Sequence, residues 1–185
     1  MRSGIVEAHV PQALCVPQAL GHGGSVLIVL GIDPALGPSG WALVNGPDII
    51  ALGSAKKAED IMQAISKALA YESECRSSDR SARLMAVGES WATGRKARNR
   101  HTEAGLGAGW GRWLMALQLQ GHPASRTKRA PLDEWRKGLF GKSNEPGDVA
   151  KRRAIAWAWA RWNVRVADDV AEALCITAWF QKRGL

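Results

Sequence analysis

Two acidic residues of this chain stand at the ends of apolar segments of strand length. Asp33 ends the apolar segment 26–33, and Glu89 follows the apolar segment 84–87 after a single glycine. Continuous apolar runs of this length are typical of strands that are buried on both faces. Neighbouring parallel strands end at the same edge of a sheet, so the two carboxylates are expected to lie together. Taken alone, Asp33 also fits a turn residue before Pro34.

Three further acids begin the last predicted helix, residues 168–182. Asp169 and Glu172 are three positions apart and share a helix face, while Asp168 and Glu172 are four apart and nearly share one. The same spacing fits a capping box with Asp169 as the N-cap, and acids at a helix start also offset the helix dipole. The residues alone therefore leave a structural and a functional interpretation open.

Carboxylates that come from distant parts of a chain supply the hard oxygen ligands that Mg²⁺ requires. Two such ions about 4 Å apart can activate a water molecule and stabilise the leaving oxygen in phosphodiester hydrolysis. No His or Cys stands beside these acids in the sequence, so a zinc site is not expected. The acids therefore predict metal-dependent cleavage of a nucleic acid.

The composition is consistent with this chemistry. The 185 residues include 25 Lys and Arg against 17 Asp and Glu, a net charge of +8. Such an excess attracts polyanions such as nucleic acids, although a basic surface that keeps the protein soluble fits equally well. Three separated cysteines indicate neither a disulfide framework nor a zinc site, and we expect a cytoplasmic protein. The longest apolar stretch is too short to span a membrane.

The apolar patterns predict an α/β fold made of one domain, residues 25–185, after a poorly ordered N-terminal extension, residues 1–24. Three strands joined by short turns, over about 26–33, 41–44 and 49–53, predict an antiparallel meander. Two more strands are predicted over 84–87 and 125–130. Helical spacing predicts helices over about 58–80, 102–120, 132–139, 147–162 and 168–182.

Basic residues follow the acid at position 89 and are candidates for contacts with DNA phosphates. They are Arg95, Lys96, Arg98 and Arg100, and a second basic stretch begins with Lys128 and Arg129. A solvated loop is the alternative interpretation of the first group. Trp91 lies next to that group and could stack on an unpaired base, although ordinary packing is equally consistent with it.

Several segments, in this order, resemble the motifs of the RuvC-type Holliday junction resolvases. The segment 31–44 (GIDPALGPSGWALV) resembles the first motif of that family, and AVGE at 86–89 resembles the second. The small-residue segment 105–111 (GLGAGWG) and the closing segment 169–176 (DVAEALCI) resemble the helices that follow. The resemblance spans roughly residues 26–183.

This resemblance implies an RNase H-like fold, with the first three strands antiparallel and joined by parallel strands in one mixed five-stranded sheet flanked by helices. It implies that Asp33, Glu89, Asp169 and Glu172 are catalytic and bind two Mg²⁺ ions, with Mn²⁺ as a substitute. The implied activity is the resolution of four-way DNA junctions by paired nicks, performed by a homodimer. Two residues depart from the family pattern, since Ala35 replaces a glycine and Glu172 an aspartate; Asp168 is the substitute ligand.

Two other functions fit the same residues. A nuclease of this fold could act on other branched DNA or on RNA–DNA hybrids. An inactive DNA-binding module would use its acids merely to cap helices and end strands.

Overall fold

A computed structural model of the protein describes residues 27–35, 37–90, 100–142 and 145–184, with the backbone alone for 100–104 and 106. Its strands are β1 (Leu27–Asp33), β2 (Ser39–Asn45), β3 (Asp48–Ala55), β4 (Arg83–Ser90) and β5 (Thr127–Pro131). Its helices are α1 (Ala58–Ser78), α2 (Arg100–Leu119), α3 (Leu132–Phe140), α4 (Gly147–Trp162) and α5 (Asp168–Lys182), and one 3₁₀ turn, Ala124–Arg126, precedes β5.

The five strands form one mixed sheet in the order β3-β2-β1-β4-β5. β1 pairs antiparallel with β2, and β2 pairs antiparallel with β3, which is the predicted meander. β4 runs parallel to β1, and β5 runs parallel to β4. The carboxyl ends of β1, β4 and β5 therefore meet at one edge of the sheet.

Helices cover both faces of the sheet. Alternate residues of a strand point to opposite faces, and β1 accordingly places Ile28, Leu30 and Ile32 in a core with α1 and α2. Its residue Val29 lies in a second core, which is formed with α3, α4 and α5. Burial on both faces explains why β1 reads as a continuous apolar run rather than an alternating one.

The predicted α/β, RNase H-like fold is confirmed, and the helices and strands begin and end within a few residues of the predicted positions. Within the described ranges, no helix is both long and apolar enough to cross a membrane.

Candidate active site

The sheet brings Asp33 and Glu89 side by side. Ile32 of β1 is the partner of Gly88 in β4, and the two acids are the next residues along these parallel strands. Asp33 lies on the same face of β1 as Val29, and Glu89 on the same face of β4 as Val87, which is the face covered by α5. Both carboxylates therefore point toward α5 at the carboxyl edge of the sheet.

Helix α5 packs closely on this face because two strand positions are glycine. A Cβ added to Gly31 would lie 2.4 Å from the Ala173 carbonyl oxygen, and one added to Gly40 would lie 2.1 Å from the Asp169 carbonyl oxygen. Gly40 is the strand partner of Asp33. The N-terminal turn of α5, with Asp169, is therefore placed next to the end of β1.

Three of the four carboxylates, those of Glu89, Glu172 and Asp169, each accept a hydrogen bond from another side chain. The Trp135 indole Nε1 donates to Glu89 Oε2 at 3.1 Å, and Arg136 Nη2 donates to Glu172 Oε1 at 2.6 Å. Both donors belong to α3. The Ser54 hydroxyl on β3 donates to Asp169 Oδ2 at 2.9 Å. Two elements that carry none of the four acids, α3 and β3, thus orient three of them.

The acids repel one another electrostatically. Burial, followed by the charges of Glu89, Glu172 and Asp169, raises the pKa of Asp33 well above its usual value. Burial and the charge of Glu172 raise the pKa of Glu89 to about 7. Burial also raises the pKa of Glu172, and Arg136 opposes that shift. These mutual effects show that the four carboxylates form one electrostatic cluster.

Glu172 belongs to this cluster more closely than Asp168 does. Glu172 is buried, whereas the side chain of Asp168 is 40% exposed and pairs with Lys151 Nζ at 2.6 Å. That ion pair lowers the pKa of Asp168. The charge of Lys151 also opposes the upward shift in the pKa of Asp33. The helix phase therefore turns Glu172 toward the strand ends and Asp168 toward α4.

The capping-box interpretation of these acids is wrong. Helix α5 begins at Asp168, its N-cap is Ala167, and no side chain caps it. Asp169 lies inside the first turn, where Oδ1 accepts from the Val170 backbone N–H. The negative charges of these acids still stabilise α5, because they lie at the positive end of the helix dipole.

The donor set fits a hard divalent cation, although the side chains do not already surround one. Among the described residues, no three acidic, His or Cys side chains stand in an arrangement that would hold a metal ion. Arg136, Trp135 and Ser54 each form a hydrogen bond with one of the carboxylates. A bound divalent cation would, however, stabilise the ionised forms of Asp33, Glu89 and Glu172, whose pKa values are raised by burial first and by neighbouring acids second.

The structure describes the side chains of only two of the predicted DNA-binding residues, Lys128 and Arg129. Trp91, Arg95, Lys96 and Arg98 lie outside the described residues, and so does the side chain of Arg100. Lys128 and Arg129 are exposed on β5, where Arg129 is the partner of Gly88, one residue before Glu89.

Sequence reasoning missed four residues around the carboxylates, namely Ser54, Trp135, Arg136 and Lys151. The side chain of Arg136 is only 12% exposed and pairs with Glu172. The position of Trp135 and Arg136 in the sequence offered one signal. They lie at the start of a helix that follows a strand parallel to β4, and such a helix begins at the same edge of the sheet as Glu89.

Comparison with solved structures decides the fold family. The structure is similar to that of Thermus thermophilus RuvC in complex with a Holliday junction substrate, with a TM-score of 0.53 and 16% sequence identity. That match covers 85% of this chain and 96% of the other. The chain has a RuvC-like fold.

A second structure of Thermus thermophilus RuvC matches the RuvC-like fold of this chain over the same shares, with a TM-score of 0.50 and 16% identity. No family model matches the chain, and no curated protein matches its sequence. The similarity is therefore one of fold, and it is found by comparing structures and not by comparing sequences.

Proposed function

We propose that the protein is a Mg²⁺-dependent endonuclease that resolves four-way DNA junctions by paired nicks, as a homodimer. The observation that carries this proposal is the cluster of Asp33, Glu89, Asp169 and Glu172 at the carboxyl edge of a RuvC-like sheet. The similar RuvC structure is a complex with a Holliday junction substrate. The net charge of +8 suits a polyanionic substrate.

In this mechanism the four carboxylates would hold the cations, and the chemistry that bound cations would supply is the activation of water and the stabilisation of the leaving oxygen. Trp135 orients Glu89 through its indole N–H, and Ser54 orients Asp169 through its hydroxyl. Arg136 donates to Glu172 and favours its ionised form, since an opposite charge stabilises a carboxylate. Lys151 adds positive charge beside the cluster, where a phosphate would approach.

Cleavage assays on labelled DNA test this proposal. The wild-type protein is incubated with a four-way junction, a replication fork, a linear duplex of the same sequence and an RNA–DNA hybrid, each with Mg²⁺ and with EDTA. We expect Mg²⁺-dependent cleavage of the junction and little cleavage of the linear duplex.

Other outcomes would replace the proposal. Preferred cleavage of the hybrid or the fork would assign the cluster to another nuclease of the same fold. Tight junction binding without cleavage in Mg²⁺ or Mn²⁺ would assign the protein to DNA binding alone.

A further inference from the structure

The guanidinium of Arg136 is buried beside the carboxylate cluster. Only 12% of its side chain is exposed, and its Nη2 donates at 2.6 Å to Oε1 of Glu172, whose side chain is 6% exposed. The Nε of Arg136 is also buried, and it makes no hydrogen bond within the described residues. A long basic side chain usually extends its charged end into water. The attraction of the carboxylates therefore holds this guanidinium out of solvent.

Arg136 also acts on a second carboxylate of the cluster. Burial and the charge of Glu172 raise the pKa of Glu89, and the charge of Arg136 opposes both effects. The guanidinium lies over the ring of Trp135, 5.2 Å from its centroid, and the indole of the fully buried Trp135 donates to Glu89. The start of α3 thus holds one positive charge close to both Glu89 and Glu172.

Lys151, which also lies near the cluster, is held differently. Its side chain is 51% exposed and pairs with Asp168, which is 40% exposed. Water screens an exposed pair of this kind, and the two charges offset each other. The charge of Arg136, in contrast, offsets one of the four clustered carboxylates.

The charges of the cluster limit the number of divalent cations that it can hold. Four ionised carboxylates carry four negative charges, of which Arg136 offsets one. One divalent cation would leave a single negative charge, whereas two would leave a net positive charge in a largely buried site. Like charges repel strongly at short range where water is excluded. With Arg136 in place, the charge balance of the protein without DNA favours one divalent cation.

We propose that the guanidinium of Arg136 substitutes for one of the two expected cations, so that the protein without DNA binds one divalent cation per chain. This inference rests on the proposed function, because it concerns the same carboxylates. The phosphate of a bound DNA strand would add a negative charge beside the cluster. A second cation is therefore expected only together with DNA.

Titration calorimetry of the full chain with MnCl₂, in the absence of DNA, measures the number of sites. We expect one Mn²⁺ per chain for wild type and two for Arg136→Gln, which removes the positive charge. Arg136→Lys keeps that charge and should again bind one. Electron paramagnetic resonance gives a second readout, because two Mn²⁺ ions about 4 Å apart couple magnetically and a single ion does not. Neither measurement depends on cleavage.

Lys151→Gln is the matched control, because it removes one positive charge from the exposed pair near the same cluster. It should leave the count at one, and a count of two would overturn the specific role of Arg136. Thermal unfolding of each variant shows whether it is folded, since Arg136→Gln leaves the buried carboxylate of Glu172 unpaired until a cation binds. The wild-type count tests the proposal even if Arg136→Gln does not fold.

The remaining outcomes separate this proposal from the proposed function. Two Mn²⁺ per chain in wild type without DNA would overturn the substitution by Arg136 and leave the proposed function standing. One Mn²⁺ in both wild type and a folded Arg136→Gln would do the same, because the guanidinium would then not limit the count. No Mn²⁺ bound by either protein at millimolar concentration would overturn the proposed function, and this proposal with it.

Discussion

Glu89 is held in a setting that favours its protonated form, even though its predicted role requires the ionised form. Burial and the nearby charge of Glu172 raise its pKa to about 7, and Asp33 shifts in the same direction. A carboxyl whose pKa is higher in the folded protein than in the unfolded chain binds more protons when folded. The resulting stability is present at low pH and is lost as the pH rises through the folded pKa.

We therefore predict that, without divalent cations, stability falls between pH 5 and pH 8.5. For Glu89, a shift from 4.5 to about 7 corresponds to a loss of about 2–3 kcal/mol across that interval. Urea denaturation in EDTA measures it, and Mg²⁺ should reduce the loss because a bound cation stabilises the ionised carboxylates.

The control for this prediction is Glu89→Gln, which cannot ionise at that position. His122 has a lowered pKa and therefore changes stability in the opposite sense, but it is present in both proteins. The difference between wild type and Glu89→Gln thus measures the Glu89 carboxyl together with its effect on the pKa of Asp33. A difference that stays constant from pH 5 to pH 8.5 would show that Glu89 has an ordinary pKa.

Substitutions of Glu172 and of Asp168 test which of the two residues is the ligand. We predict that Glu172→Gln lowers the rate of junction cleavage at least a hundredfold, because it removes an oxygen ligand from the cluster and leaves Arg136 without its partner. Asp168→Asn should change the rate less than about fivefold, since Asp168 forms an exposed ion pair with Lys151, and such pairs contribute about 0–1 kcal/mol.

Single-turnover rates at saturating protein separate these two variants. Thermal unfolding of each variant shows whether a low rate reflects loss of the fold. A larger loss for Asp168→Asn than for Glu172→Gln would reverse the assignment of the ligand.

At the scale of elements, the site depends on how closely α5 approaches β1 and β2. Gly40 makes that approach possible, because a methyl group there would overlap the backbone of Asp169. We predict that Gly40→Ala destabilises the protein by about 2–3 kcal/mol, as overpacking against a rigid backbone does. It should also lower the cleavage rate, because α5 carries Asp169 and Glu172.

Gly37→Ala is the matched control, since nothing lies within 4 Å of the position of its Cβ. Its stability should change by less than about 0.5 kcal/mol. Urea denaturation measures the free energy of unfolding of both variants. Equal values would show that α5 does not pack closely against Gly40.

The sequence could predict β1 and β4 because each of these strands has a strong local signal. The apolar runs of β1 and β4 reflect burial on two faces, and the acids that end them mark the carboxyl edge of the sheet. The contacts of Trp135 and Arg136 could not be predicted, because they depend on the angle at which α3 packs against α5. The capping-box interpretation failed for a different reason, because the N-cap of α5 is Ala167, two residues before Asp169.

At the scale of the whole molecule, the net charge of +8 leaves open which surface meets DNA. The segment 91–99 carries Arg95, Lys96 and Arg98 directly after β4, and Arg100 begins α2. We predict that replacing these four residues by Ala weakens junction binding and flattens its salt dependence. Each lost phosphate contact reduces the slope of log K against log salt by roughly 0.9, and we expect about two contacts to be lost.

A salt titration of junction binding, with the fourfold variant beside wild type, measures this change. Lys67→Gln, at an exposed position of α1 that is not a predicted DNA contact, serves as the comparison for loss of one charge elsewhere on the surface. An unchanged slope and affinity in the fourfold variant would move the DNA-binding surface to residues 128–153.

The products of junction cleavage test the central claim most directly. A four-way junction labelled in turn on each strand is incubated in Mg²⁺ with wild type and with Asp33→Asn. We predict paired nicks at symmetric positions in two opposite strands by wild type, giving duplexes that a ligase can seal. We expect no nicks by Asp33→Asn, which should still bind the junction. Nicking by Asp33→Asn at the wild-type rate would show that the carboxylate cluster is not the site of the reaction.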